Sequence, residues 1–101
     1  MNVQIQTVHF DADSKLLEYV NTKIEKLNTF HDKITGAVVY LKLDNMSHQV
    51  RDKVAEIKVS VPGHSYFVKH QSKSFEESFN LAFDSLVSQV KRQKQKHLAY
   101  S

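Results

Sequence analysis

The sequence predicts an α+β fold in the order β-α-β-β-β-α, a four-stranded mixed sheet with two helices packed on one face. Three observations carry that prediction. Four stretches alternate apolar and polar residues with the period of a strand. Two others repeat apolar residues at steps of three and four, the period of a helix. The last three strand stretches follow one another through short polar connections, which favours antiparallel pairing, whereas the first reaches the second through a helix, which favours parallel pairing. Each helix has one apolar face and the sheet has one. Stacking both helices on the same side of the sheet buries all three. At 101 residues and 41% hydrophobic, the chain is long enough for one two-layered domain, expected to span residues 1–101.

The first strand is read from Val3, Ile5 and Thr7 alternating with Gln4, Gln6 and Val8. Phe10-Asp11-Ala12-Asp13 turns the chain, with Asp13 placed to cap a helix over Ser14 to Phe30 whose stripe is Leu16, Leu17, Val20, Ile24 and Leu27. Lys23 and Lys26 flank that stripe. After the polar break His31-Asp32-Lys33, a second strand puts Ala37, Val39, Leu41 and Leu43 on one face and Val38, Tyr40 and Lys42 on the other, with Gly36 marking a bulge or ragged start. A polar loop over 45–51 leads to a third strand, Lys53 to Val61, and the Pro62-Gly63 turn leads to a fourth, His64 to Gln71. The final helix runs from Ser74 to Leu98. Phe75, Phe79, Ala82, Phe83, Leu86 and Val90 form its stripe, Ser74 is its N-cap, and Glu76 and Glu77 sit where the helix dipole favours negative charge. Past Val90 the apolar pattern stops and Lys91, Arg92, Lys94 and Lys96 follow, a basic end over about 91–98 with no acid after Asp84. At ~100° per residue these four cations point around the axis rather than along one solvated face.

Composition excludes several functions. There is no cysteine, hence no disulfide, thiol catalysis or cysteine-ligated zinc. No apolar run approaches a membrane span and the start does not read as a signal or transit peptide, so a cytoplasmic location is expected and no membrane partner. The six histidines show no metal-ligand spacing, neither glycine opens a phosphate-cradling helix, and no nucleophile motif is present. Adjacent Glu76 and Glu77 diverge by about 100° and do not face one substrate. The chain is therefore read as a non-enzyme without cofactor, metal or small-molecule substrate. Its net charge of +3 is uneven: residues 1–50 hold five lysines against six acids, residues 51–101 nine lysines or arginines against five acids. A local basic cluster fits an anionic partner, nucleic acid before membrane, or simply a solvated helix end whose cations complement the dipole. Tyr40, beside Lys42 on the open sheet face, either stacks a base or packs across strands on Tyr66 or another neighbour.

Three stretches together are similar to a known family: residues 19–27, YVNTKIEKL; residues 30–34, FHDKI; and residues 39–44, VYLKLD. With the closing helix at 86–96, LVSQVKRQKQK, the chain resembles the hibernation-promoting factor and ribosome-associated inhibitor family over residues 1–97. One departure is visible: where the family follows an acidic cap and an aromatic with two alanines, this chain has Glu76 and Glu77. The resemblance implies a double-stranded-RNA-binding-like fold. It implies binding to the small ribosomal subunit and its rRNA in the mRNA and tRNA channel, with translation silenced in stationary phase. Ending at Ser101, the chain resembles a short form without the dimerising domain of long members, and short forms in some bacteria act with a second small factor. The RNA-binding residues expected on this basis are Lys23, Lys26, Lys42, Lys91, Arg92, Lys94 and Lys96. The alternatives are a generic structured-RNA-binding protein and a protein-interaction module modulating a transcription factor.

Overall fold

A computed structural model of the chain describes residues 1–44 and 53–99, with side chains through Gln93. The expected loop over 45–51 lies outside the described residues. The elements follow the expected order: β1 (Asn2–Val8), α1 (Ser14–Glu25), a 3-10 turn η1 (Lys26–Thr29), β2 (Gly36–Leu43), β3 (Lys53–Val61), β4 (His64–Ser72) and α2 (Phe75–Ala99). The sheet order is β1-β2-β3-β4; β1 runs parallel to β2 and the other two pairs are antiparallel.

Alternation decides the faces. Ala37, Val39 and Leu41 of β2, Ala55, Ile57 and Val59 of β3, and Tyr66 and Val68 of β4 are buried beneath the helices, with Val3 and Ile5 of β1 packed alongside. Val20, Ile24 and Leu27 from the first helical segment and Phe79, Ala82, Phe83, Leu86 and Val90 from α2 close the core from above. Leu16 and Leu17 are only half-buried, and Leu16 packs against the margin of the core. Asp13 caps α1 by accepting from the Leu16 amide at 2.8 Å, and Ser74 caps α2 by accepting from the Glu77 amide at 3.1 Å.

Four local readings are corrected. The helix expected to reach Phe30 as one piece tightens into η1 after Glu25. The Phe30 amide donates to the Leu27 carbonyl at 2.9 Å, the i→i+3 bond of a 3-10 turn, and the Thr29 hydroxyl adds a side-chain bond to the Lys26 carbonyl at 2.7 Å. Gly36 is neither a bulge nor a ragged start: it pairs with Asn2 on one side and Ser60 on the other, so the ladder is regular from the first residue of β2. The turn after β1 begins one residue early, at His9, whose φ of 68° is left-handed. Tyr40 and Tyr66 cannot touch across strands, because Tyr66 faces the helices while Tyr40 faces away from them. At the β3–β4 hairpin Pro62 fixes φ and Gly63 takes φ 75°, the type II combination, and Val61 pairs with His64.

Candidate nucleic-acid interface

The two helical segments lie side by side and run the same way. Tyr19 meets Asn80, Lys23 meets Asn80 and Phe83, and Phe30 meets Lys91, so contacts advance along both chains together. Their C-terminal ends, and the cations there, therefore gather at one end of the molecule. Val90 is the last buried residue of α2 among the described side chains. Lys91, Arg92 and Gln93 are exposed, and the helix axis continues to Ala99, about 13 Å further.

Lys91 holds its ammonium 5.1 Å from the centroid of the Phe30 ring, a cation–π contact that leaves the charge open to solvent. Lys26 is exposed at the start of η1, the turn that Phe30 follows. Arg92, one position on, turns to the opposite flank of α2 and lines a groove with His64, Tyr66, Gln89 and Gln93. A larger groove of about 410 Å³ adjoins it, between the η1–β2 connection and the start of β4. Within it His31 Nδ1 accepts from the Lys33 amide at 3.1 Å, which leaves Nε2 as the nitrogen available to donate. Lys26, Lys91 and Arg92 thus form an exposed cationic rim around one end of the helical layer. The side chains of Lys94 and Lys96 lie outside those described; their backbone continues α2 from that rim.

Two expected residues are placed elsewhere. Lys23 is half-buried between the helices, its ammonium 2.7 Å from Asn80 Oδ1 and 5.2 Å from the Phe83 ring centroid. Asn80 Oδ1 also accepts from the Tyr19 hydroxyl at 2.6 Å. Lys23 is a strut between α1 and α2 rather than a member of the rim. Lys42 lies on the far side of the sheet, ion-paired to Glu56 at 2.8 Å and 5.6 Å from the Tyr40 ring centroid. The sheet separates it from the helical cations. Sequence reasoning missed Tyr19, Phe30 and Asn80, which hold the helices together and seat Lys91; the i, i+4 spacing of Tyr19 and Lys23 was the available signal.

The departure at Glu76 and Glu77 is confined to the surface, where both carboxylates are exposed in the first turn of α2. Phe75 beside them stacks on Phe10 at 4.2 Å, and the buried Ser78 hydroxyl donates to the Lys53 carbonyl, fixing α2 on β3. Among the described residues no group of three His, Asp or Glu side chains converges to hold a metal ion, and no helix is long and apolar enough to cross a membrane.

The whole of this frame, from residue 3 to residue 98, matches the family model described as sigma 54 modulation protein / S30EA ribosomal protein. The chain belongs to that family. Among its relatives, a ribosome hibernation promoting factor of Pseudomonas putida is 25% identical over 96 residues, covering 95% of this chain and 89% of the relative. A ribosome hibernation promoting factor of Acidithiobacillus ferridurans is 30% identical over 66 residues, covering 65% of this chain and 82% of the relative. The fold is shared with a ribosomal subunit interface protein from Coxiella burnetii, with a TM-score of 0.82 at 18% identity over 94% of this chain and 99% of the other. It is shared also with the N-terminal domain of Thermus thermophilus Protein Y, with a TM-score of 0.77 at 27% identity over 91% of this chain and 98% of that domain.

Proposed function

We propose that the chain is a cytoplasmic ribosome hibernation factor. Residues 1–101 act as one ribosome-binding domain that occupies the mRNA and tRNA channel of the small subunit and silences translation in stationary phase, alone or with a second small hibernation factor. The observation that carries this reading is the family match across residues 3–98 on a chain that holds Lys26, Lys91 and Arg92 exposed at one end of its helical layer. The mechanism is steric. Lys26, Lys91 and Arg92, with Lys94 and Lys96 continuing along α2, neutralise rRNA phosphates and release their counterions. The rigid helical pair then fills space that mRNA and anticodon stems need. Recognition follows the shape of folded rRNA rather than base edges.

Lys23 enters this mechanism indirectly, by holding α1 against α2 so that the rim keeps its geometry. Co-sedimentation with purified small subunits tests the proposal. Binding is expected at low salt, with progressive release as salt rises and displacement by mRNA and tRNA. Failure to bind subunits at low salt would overturn it, and equal binding to free duplex RNA would favour a generic structured-RNA binder.

A further inference from the structure

The sheet face turned away from the helices is not an inert back. The strand register places Gln4, Val38, Lys58 and Phe67 in one row across it, and Gln6, Tyr40, Glu56 and Lys69 in the next. Phe67 is 53% exposed, more than any other large hydrophobic side chain among the described residues. Lys58 and Lys69 are exposed beside it. Within these two rows Glu56 is the acid, and it is paired with Lys42 at 2.8 Å; Asp44, past the end of β2, lines one groove with Glu56 and Lys69, away from Phe67 and Lys58. Tyr40 and Phe67 are two strands and two residues apart, a separation of about 12 Å, which seats two separate bases rather than one.

We propose that this face is a second nucleic-acid site, a platform for single-stranded RNA. Phe67 and Tyr40 stack unpaired bases, while Lys58 and Lys69 meet the phosphates between them. Gln4 and Gln6 offer both donors and acceptors to base edges. Duplex RNA does not fit, because its base faces are already stacked. An exposed ring, Phe67, and a half-buried one, Tyr40, set among lysines, with the neighbouring carboxylate already neutralised, favour a polyanion that carries aromatic faces over an acidic protein. The platform is on the opposite side of the sheet from the cationic rim, so the two sites are independent and one molecule holds both.

Anisotropy of fluorescein-labelled oligouridylate at low salt tests this. The wild-type chain is expected to bind. Phe67→Ala and Tyr40→Ala are each expected to weaken binding about tenfold, and Lys91→Glu with Arg92→Glu to change it far less. Phe67→Trp supplies the chain's single tryptophan; it is expected to keep the affinity and to show fluorescence quenching as oligouridylate is added. Absence of wild-type binding, unchanged affinity in Phe67→Ala, an unquenched tryptophan, or equal competition by unlabelled duplex RNA would each overturn the platform. Loss of oligouridylate binding with small-subunit binding intact overturns the platform alone. The reverse result overturns the ribosomal reading alone.

Discussion

Asn80 Oδ1 accepts from both the Tyr19 hydroxyl and the Lys23 ammonium in a half-buried site between the helices. Removing it leaves two donors without their acceptor, and Asn80→Ala is expected to cost about 1–3 kcal/mol, measured by urea denaturation. Lys23→Glu is expected to destabilise the fold as well as weaken RNA binding, whereas Lys91→Glu changes stability by less than about 0.5 kcal/mol. Thermal melts of the two variants separate strut from rim. Tyr66 gives a pH prediction. Burial pushes its phenol above the ordinary tyrosine value of 10.0. The unfolded chain then loses this proton first, so the contribution is full below that value and falls as pH rises toward the folded one. Tyr66→Phe is expected to lessen the loss of stability in alkaline solution, read from denaturation midpoints on either side of pH ~10. The contrast among Lys23, Lys42 and Lys91 marks what sequence can resolve. Each was legible as a cation on a polar position. Which of them would find Asn80, Glu56 or open solvent depended on atoms brought in by other elements.

The strands and helices were legible almost to the residue because their signals are local. Ser74 before the stripe of α2 stands where the N-cap is found, and Ser74→Ala is expected to cost about 1 kcal/mol, lowering the melting temperature by roughly 4–8 °C. Pro62-Gly63 reads as a tight turn, and Gly63 holds φ 75° with nothing within 4 Å of an added Cβ. Gly63→Ala therefore isolates the backbone cost of the left-handed conformation, about 1–2 kcal/mol, readable in the same melts. What escaped was set by single hydrogen bonds and by contacts between elements. η1 is closed by the Phe30 amide on the Leu27 carbonyl and by the Thr29 hydroxyl on the Lys26 carbonyl. Phe10, read only as part of a turn, stacks on Phe75 and so joins the start of α1 to the start of α2. Gly36 had the local signature of an irregularity, but pairing with strands on both sides kept it regular.

Two layers give the molecule two unlike surfaces. The helical layer ends in the exposed cations Lys26, Lys91 and Arg92, and the bare sheet carries rings and lysines around a neutralised acid. Lys26 and Lys91, with Arg92 on the other flank of α2, stand exposed at one end of the helical layer, whereas Lys23 is half-buried between the helices and Lys42 lies across the sheet. Parallel helices explain why the rim exists, because both segments discharge their basic ends at the same pole. Under the proposed function, affinity for the small subunit rests on a few phosphate contacts at that pole. Titrating labelled protein onto small subunits over a range of salt, wild type against Lys91→Glu with Arg92→Glu, measures those contacts. The account predicts that the double variant folds normally, binds more weakly, and shows a slope of log affinity against log salt shallower by about 2. An unchanged affinity and an unchanged slope would contradict it.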